Sequence, residues 1–214
     1  MDNIFSILYM NLNSNETANS FPTASIDNVS VVDPLLEILD PNPDIQALFN
    51  EFNQRFFWGE IPQVKVKWSK RMTASLGLTY YDPSNGECRI MLSKPLLDLL
   101  SRKDIVETLL HEMIHAYFYV NNLQDDDDHG TRFRLYAHYI DNMSGTKIKI
   151  THDFHDEMES LKRHWWLCDG PCGMLKKQAI NRTPDTKAHK RKCGGNFVKI
   201  AEPDDAPAKK RRKV

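Results

Sequence analysis

The chain has 214 residues, of which 41% are hydrophobic and 27% charged, and its formal net charge is −1. This length allows one sizeable hydrophobic core and a small appended module. The first basic residue is Arg55, so no positively charged segment precedes an apolar signal, and no apolar run is long enough to span a bilayer. We therefore expect neither a secreted nor a membrane protein, and we expect the four cysteines to bind metal rather than form disulfides.

The pattern of polar and apolar residues predicts an N-terminal segment followed by helices and strands. Residues 1–43 are rich in Asn, Ser, Asp and Pro and are predicted to be mostly disordered. Apolar residues at spacings of three and four predict helices, and alternation predicts strands. In chain order we predict a helix at 44–57, strands at 64–68, 75–81 and 87–92, a short helix at 95–100, helices at 104–120 and after 129, a strand at 146–151 and a helix at 156–166. Asp104, with Glu107 three residues later, is predicted to cap the helix at 104–120.

That helix contains the sequence HEMIH at positions 111–115, an HExxH motif. Residues four apart lie on the same face of a helix, so His111 and His115 can both reach one zinc ion, while Glu112 can act beside it as a general base. The apolar residues around the motif place the helix in the core, where polar side chains need partners and a metal supplies them. The alternative is two exposed histidines on an ordinary helix.

A catalytic zinc site usually takes a third protein ligand and leaves one position open for water. We assign His129, because a chain that reverses direction after the motif helix and begins another helix can return this imidazole to the metal. His138 lies within the second helix and is the weaker candidate. A carboxylate from residues 125–128 is the main alternative, although a run of four aspartates is usually a solvated acidic loop.

A second metal-binding pattern follows, with Cys168-x3-Cys172 and His189-x3-Cys193. Three thiolates and one imidazole form a closed set that suits structural zinc, which gives two zinc ions in all, one catalytic and one structural. Free cysteines in a basic loop are the alternative interpretation. Cys88 falls in a predicted strand and is assigned to the core.

Charge is distributed unevenly along the chain. Residues 161–200 carry ten basic and two acidic residues, which predicts that this module meets a polyanion. The candidate contacts to this polyanion are Lys176, Lys177, Arg182, Lys187, Lys190, Arg191 and Lys192. The C-terminal sequence Lys209-Lys210-Arg211-Arg212-Lys213 is typical of a nuclear import signal, and a solvated basic tail that adds to the affinity for the polyanion is the alternative.

Five stretches together resemble the Spartan group of the SprT-like metalloprotease family. They are LFNEFNQRFFWGEIPQVKVKWS, VETLLHEMIHAYFYVNN, HGTRF, FHDEMESLKRHWWLCDGPC and CGGNFVKI, and they cover roughly residues 44–200. The resemblance implies that zinc is held by the two HExxH histidines and by the histidine of an HG-x-x-F segment, which is His129. It also implies that Glu112 is the catalytic glutamate and that the cysteine-rich module binds a second zinc ion.

The resemblance implies a nuclear, chromatin-associated protease that is activated by DNA and degrades proteins trapped on DNA. Family modules carry aromatic residues that stack on unpaired bases, whereas no residue between Cys172 and His189 is aromatic. Stacking would then fall to Trp165, Trp166 or Phe197, or DNA would be held through its phosphates. The elements that bind ubiquitin, the sliding clamp and the segregase in longer relatives are not visible in this sequence.

We therefore expect an α+β fold with a zincin-like metalloprotease domain, in which helices pack on a small sheet and HExxH lies on a core helix, and an appended zinc-binding module. The expected boundaries are an N-terminal segment at 1–43, the protease domain at 44–160, the DNA-contacting zinc module at 161–200 and a basic tail at 201–214. The alternative functions are a zinc-containing DNA-binding adaptor with a vestigial protease site and a germ-cell SprT-like relative with a long acidic disordered region.

Overall fold

The computed structural model describes residues 30–62, 64–123, 125, 127–151 and 154–200. Within them, two small sheets are surrounded by helices. The elements in chain order are α1 (Leu36–Leu39), α2 (Ile45–Phe56), β1 (Lys65–Ser69), β2 (Gly77–Asp82), β3 (Glu87–Ser93), α3 (Lys94–Leu97), α4 (Arg102–Val120), α5 (Thr131–Ser144), α6 (His155–Leu161), β4 (His164–Cys168), β5 (Leu175–Gln178), α7 (Lys187–Cys193) and β6 (Phe197–Ile200). No helix in these described ranges is both long and apolar enough to cross a membrane.

The first sheet has the strand order β1-β3-β2, with β1 parallel and β2 antiparallel to β3. Helix α4 packs against β2 and β3 and also contacts α2 and α5. Of its 19 residues, 14 are buried, so it forms the centre of the main hydrophobic core. The fold is mixed α+β, as the sequence predicts, and the residues of the HExxH motif lie on its central helix.

Helix α4 begins earlier than predicted, and Ser101 rather than Asp104 caps it. The Ser101 hydroxyl oxygen accepts a hydrogen bond from the Asp104 backbone N–H at 3.1 Å. The Asp104 carboxylate in turn accepts from the Ser101 backbone N–H at 3.1 Å, which completes a reciprocal capping box. Asp104 therefore occupies the third helical position, which had been assigned to Glu107.

Residues 30–43, the end of the segment predicted to be mostly disordered, have defined structure. The Glu37 carboxylate accepts hydrogen bonds from the backbone N–H groups of Arg102 and Lys103, both at 2.8 Å. The Arg102 guanidinium, only 5% exposed, donates to the Val31 carbonyl at 2.8 Å. The Glu37 carboxylate thus satisfies the first two N–H groups of α4, which a helix leaves without intrahelical partners. Residues 1–29 lie outside the described residues.

Two further predictions of secondary structure are wrong. Residues 146–151 form no strand, because side chains take the place of strand partners: the Glu107 carboxylate accepts from the Lys147 N–H at 2.8 Å, and Asp141 accepts from the Ile148 N–H at 2.9 Å. The helix predicted at 156–166 ends at Leu161. The two tryptophans that follow belong to strand β4 instead.

Strand β4 is the centre of the second sheet, which has the order β5-β4-β6 and is antiparallel throughout. One face of this sheet carries a small buried cluster of Trp166, Cys168 and Phe197. Cys88, in β3, is 7% exposed and lies in the main core, as expected from the sequence.

Candidate metal centres

Three histidine side chains meet at one end of the core. The Nε2 atom of His115 lies 3.2 Å from Nε2 of His111 and 3.2 Å from Nε2 of His129, and the last two atoms are 3.0 Å apart. Three ligands on a tetrahedral zinc ion with Zn–N bonds of about 2.05 Å would be about 3.3 Å from one another. The nitrogen triangle therefore has the size that one zinc ion requires, and the donor set suits a site with an open position.

Helix periodicity and one backbone carbonyl orient the first histidine. His111 and His115 are one turn apart on α4, which stacks their imidazoles on one face. The Nδ1 atom of His111 lies 2.9 Å from the carbonyl oxygen of Lys149. Because a carbonyl can only accept, Nδ1 donates its proton and Nε2 keeps the lone pair that a metal needs. No sequence pattern predicts this contact, because it involves a backbone carbonyl in a segment predicted to be a strand.

His129 is brought to the pair by the acidic loop that precedes α5. The Asp127 carboxylate accepts from the His129 backbone N–H at 2.7 Å, and the Asp125 carboxylate accepts from the Phe133 N–H at 2.8 Å. Gly130, the residue before α5, has no side chain that could cap the helix. The Asp125 carboxylate, from the preceding loop, accepts a hydrogen bond from the first turn of α5 instead. This carboxylate approaches Gly130 so closely that a side chain there would collide with it. Two aspartates of the run thus shape the backbone around His129.

The other histidine considered as the third ligand, His138, is not part of this group. His138 is exposed on α5, where its Nε2 atom lies 3.2 Å from the amide nitrogen of Asn142. Asp126 lies outside the described residues. The group of His111, His115 and His129 is the one that the geometry brings together, with ligand atoms within 4.8 Å of one another.

The Phe133 side chain, for which the sequence predicts no function, packs against the three imidazoles. Its ring centroid lies 4.7–4.9 Å from the centroids of all three imidazoles, and the residue is fully buried. Burial, together with the neighbouring His129, lowers the pKa of His115 to about 4. A neutral imidazole at physiological pH is the form that binds metal. The apolar surroundings therefore favour coordination over protonation.

Glu112 lies beside the histidines and is 7% exposed. Burial raises the pKa of this carboxyl to about 7, partly opposed by a hydrogen bond from Thr79. The Thr79 hydroxyl lies 2.8 Å from Oε2 of Glu112. On the same strand, Gly77 lies so close that a Cβ atom there would be 2.5 Å from Oε1 of Glu112. Strand β2 thus encloses the carboxylate from the side opposite α4.

The hydroxyl groups of two tyrosines, on α4 and α5, are engaged within the core. The Tyr117 hydroxyl donates to the Glu60 carboxylate at 3.0 Å, and the Tyr136 hydroxyl donates to the Phe56 carbonyl at 3.1 Å. Both residues are at most 2% exposed. Their hydroxyls belong to the core rather than to the histidine site.

A cleft of about 390 Å³ opens beside His115. Its aromatic wall includes Tyr119, whose ring lies 6.3 Å from the His115 imidazole and is stacked on Tyr81 at 5.8 Å. The residues that line the cleft are Tyr81, His115, Phe118, Tyr119, Asn122, Leu123, Asp125, Asp127 and Asp128. Space for a substrate chain therefore adjoins the histidine group.

The second predicted group also converges. Sγ of Cys168 lies 3.7 Å from Sγ of Cys193 and 3.1 Å from Nε2 of His189, which is 3.7 Å from Sγ of Cys172. Tetrahedral zinc with Zn–S bonds of about 2.3 Å sets sulfurs about 3.8 Å apart. The four ligand atoms all lie within 4.8 Å of one another, which fits a closed zinc site.

Glycine permits the tight packing of this second group. A Cβ atom on Gly195 would lie 2.5 Å from Sγ of Cys168 and 2.6 Å from the backbone nitrogen of Gly170. The helix that carries His189 and Cys193 ends at Gly194, which has a φ of 78°. The backbone N–H of Gly195 is the main cause that lowers the pKa of the Cys193 thiol to about 7, which favours the thiolate form that binds metal.

The basic residues predicted to contact DNA lie on β5, on α7 and in the segment between them. Six of the seven are exposed and Lys176 is half-buried, and α7 carries three of them in its last turn. Trp165 and Trp166 are each only 8% exposed, and the ammonium groups of Lys177 and Lys199 lie 4.0 and 5.9 Å from their respective ring centroids. The tryptophans are therefore largely covered.

An apolar row lies on the face of this sheet opposite the buried cluster. Leu167 in β4 is paired in register with Leu175 of β5 on one side and Val198 of β6 on the other. The three side chains are 39–50% exposed. No sequence pattern marks this row, because its residues are far apart in the chain and only strand register aligns them.

The chain is similar to known proteins over most of its length. The family model described as the SprT-like family matches residues 45–152. The DNA-dependent metalloprotease SPRTN of Xenopus tropicalis is 49% identical over 196 residues, covering 86% of this chain and 45% of the relative. SPRTN of Homo sapiens is 46% identical over 201 residues (88% and 41%), and the DNA-dependent metalloprotease dvc-1 of Caenorhabditis elegans is 47% identical over 190 residues (82% and 52%). The chain thus spans about half the length of the relatives it matches.

Proposed function

Because the chain belongs to the SprT-like family, we propose that it is a DNA-dependent zinc metalloendopeptidase. It cleaves proteins bound or covalently crosslinked to DNA, in crosslink repair and in the replication-coupled response to DNA damage. The observation that carries this proposal is the triangle of Nε2 atoms, 3.0–3.2 Å apart, beside the buried carboxylate of Glu112. A metal site without catalytic function would not require a general base at this position.

In this proposal the catalytic zinc ion is held by His111, His115 and His129. When bound, the ion supplies Lewis-acid polarisation of a water molecule and of the substrate carbonyl. The protein's own contribution is to orient the imidazoles: the Lys149 carbonyl holds His111, and the Phe133 ring packs against all three. A substrate chain in the adjoining cleft would lie along His115 and the aromatic wall.

Glu112 moves the proton. Its carboxylate takes a proton from the attacking water and delivers it to the nitrogen of the leaving amine as the peptide bond breaks. A pKa raised to about 7 by burial suits both halves of this transfer, because the group can accept and release a proton near neutral pH. Tyr117 and Tyr136 take no part, since their hydroxyls are bonded within the core.

The second zinc ion is structural in this proposal and is held by Cys168, Cys172, His189 and Cys193. A set of four protein ligands leaves no position for a reacting water. The four residues come from the end of β4, the turn after it and helix α7, so one ion would fasten three parts of a small module. Such a module has little hydrophobic core of its own, and metal binding supplies much of its folding free energy.

The zinc module is proposed to hold DNA that is single-stranded or has single-stranded character. Basic side chains on β5, on α7 and in the segment between them, all exposed except the half-buried Lys176, can neutralise phosphates. Their residues are Lys176, Lys177, Arg182, Lys187, Lys190, Arg191 and Lys192. The neighbouring aliphatic row of Leu167, Leu175 and Val198 offers unpaired bases an apolar surface. DNA held there raises the effective concentration of DNA-bound proteins near the protease site.

Because the proposed substrates are DNA-bound proteins, we also propose that the protein is nuclear and associated with chromatin. The predicted import signal at Lys209, Lys210, Arg211, Arg212 and Lys213 lies outside the described residues, so its role stays a prediction. Fusion of residues 201–214 to a fluorescent reporter, compared with a version in which the five basic residues are replaced by alanine, tests it directly.

The proposal is tested by incubating the protein with a DNA-binding substrate protein, with and without single-stranded DNA. We expect cleavage only when DNA is present, and we expect Glu112→Gln to abolish it with the zinc content unchanged. Glu87→Gln, the same change at an exposed position on β3, is the matched control and should cleave normally. Cleavage at the full rate by Glu112→Gln would remove the catalytic assignment of Glu112, whereas no cleavage by the unmodified protein in the presence of DNA would favour the DNA-binding adaptor.

A further inference from the structure

The Thr79 side chain contacts Glu112 at two points. Its hydroxyl oxygen lies 2.8 Å from the carboxylate oxygen Oε2 and 2.9 Å from the backbone carbonyl oxygen of the same residue. A hydroxyl has one proton, and a hydrogen bond to an ionised carboxylate is stronger than one to a neutral carbonyl. The proton is therefore directed chiefly to Oε2 whenever Glu112 is ionised.

The strand holds this hydroxyl in place. Thr79 lies in the middle of β2, where it is paired in register with Ile90 of β3, a fully buried residue. A β-branched side chain has few allowed χ1 rotamers in a strand, so the direction of its hydroxyl is restricted. Two residues earlier, Gly77 has no side chain, which leaves room for the other carboxylate oxygen, Oε1. The two oxygens of Glu112 thus have different surroundings, both defined by the same strand.

We propose that Thr79 is a positioning residue for catalysis, which holds Oε2 of Glu112 so that the carboxylate keeps one orientation relative to the three histidines. This inference rests on the proposed function of Glu112 as the proton carrier. Proton transfer needs the donor and acceptor atoms within hydrogen-bond reach in the correct direction. A glutamate side chain has several rotatable bonds, and an unanchored carboxylate would spend part of its time turned away from the reacting water.

The inference is tested with Thr79→Val, which removes the hydroxyl and keeps the side-chain shape. We expect kcat to fall on the order of tenfold, the rate equivalent of one hydrogen bond to a charged group. The KM for the protein substrate should stay the same, as should the two zinc ions per chain. Thr79→Ser keeps the hydroxyl and should restore most of kcat. Thr79→Ala removes the hydroxyl without adding a methyl group in its place, and it repeats the test in case Val packs poorly.

The matched control is Thr108→Val. Thr108 is also buried and lies on the motif helix, but its hydroxyl donates within the helix, to the Asp104 carbonyl at 2.6 Å. This variant should keep the kcat of the unmodified protein. A merely structural role for Thr79 would lower the thermal stability of Thr79→Val with kcat unchanged in the folded, zinc-loaded protein, and that result would overturn the inference.

The two proposals fail in distinguishable ways. If Glu112→Gln cleaves normally, the proposed function of Glu112 is wrong. If Glu112→Gln is inactive while Thr79→Val and Thr79→Ala both retain full kcat, only the positioning role of Thr79 is wrong. A fall in kcat that Thr79→Ser does not restore would show that shape rather than the hydrogen bond matters, and would also overturn the inference.

Discussion

Gly77 lies against the carboxylate of Glu112: a Cβ atom on Gly77 would be 2.5 Å from Oε1 and 2.6 Å from Cγ of that residue. Such distances are well below van der Waals contact, so any side chain at position 77 must displace the glutamate. The absence of a side chain at the first residue of β2 is thus directly linked to the position of the proposed general base.

We predict that Gly77→Ala inactivates the protease while both zinc ions remain bound, because the displaced carboxylate can no longer reach the reacting water. The comparison is Gly86→Ala, at the other end of the hairpin. There a Cβ atom meets nothing within 4 Å, but φ is +71°, which costs a non-glycine residue about 1–2 kcal/mol. Gly86→Ala should therefore lose stability in a urea titration and keep its cleavage rate. Equal rates for the two variants would contradict the assignment.

A second prediction concerns the number of bound metal ions. Purified protein should hold two zinc ions per chain, measured by elemental analysis. His129→Ala should retain one, because two imidazoles hold zinc weakly, and it should lose activity. Cys172→Ser should unfold the zinc module. His138→Ala, an exposed histidine on α5, should keep both ions. Two ions and full activity in His129→Ala would place the third ligand elsewhere.

A third prediction separates the two interpretations of the acidic loop. Asp125 accepts a hydrogen bond from the Phe133 N–H, so Asp125→Ala should cost about 1 kcal/mol of unfolding free energy, as does loss of a helix cap. Zinc content should stay at two ions per chain under saturating metal. Asp125→Asn keeps an accepting oxygen and should restore most of the stability. Loss of one zinc ion in both variants would instead identify Asp125 as a metal ligand.

A fourth prediction concerns how DNA is held. If affinity rests on phosphate contacts, binding should weaken steeply with salt, with a log–log slope of about −0.7 per contacted phosphate on single strands. Replacing Lys190, Arg191 and Lys192 together should flatten this slope and reduce DNA-stimulated proteolysis, with both zinc sites filled.

Replacing Trp165 or Trp166 with alanine tests the alternative, that DNA is held by base stacking. Trp165 is 8% exposed, and its ring is covered by Lys177, so Trp165→Ala should cost stability rather than the salt-dependent part of DNA affinity. An affinity that does not depend on salt and collapses in a folded Trp165→Ala or Trp166→Ala protein would show that base stacking dominates.

Local periodicity made part of the fold predictable. Strands β2 and β3 and the turn between them follow from alternation and turn residues, and α2, α4 and α5 follow from apolar spacing. The errors occurred where distant residues compete with local preference. Residues 146–151 alternate as a strand would, yet their N–H groups bond to Glu107 and Asp141, and the helix predicted at 156–166 gives way to strand β4.

The sequence by itself determined which residues can bind metal, because ligand chemistry resides in side chains and the i,i+4 spacing of HExxH is a property of the helix. The tertiary structure alone decided what surrounds them. Thr79 and Gly77 reach Glu112 across 33 and 35 positions of sequence, and the group that orients His111 is a backbone carbonyl that any residue could supply. Such contacts have no local pattern, since they arise only when a strand and a loop pack against the motif helix.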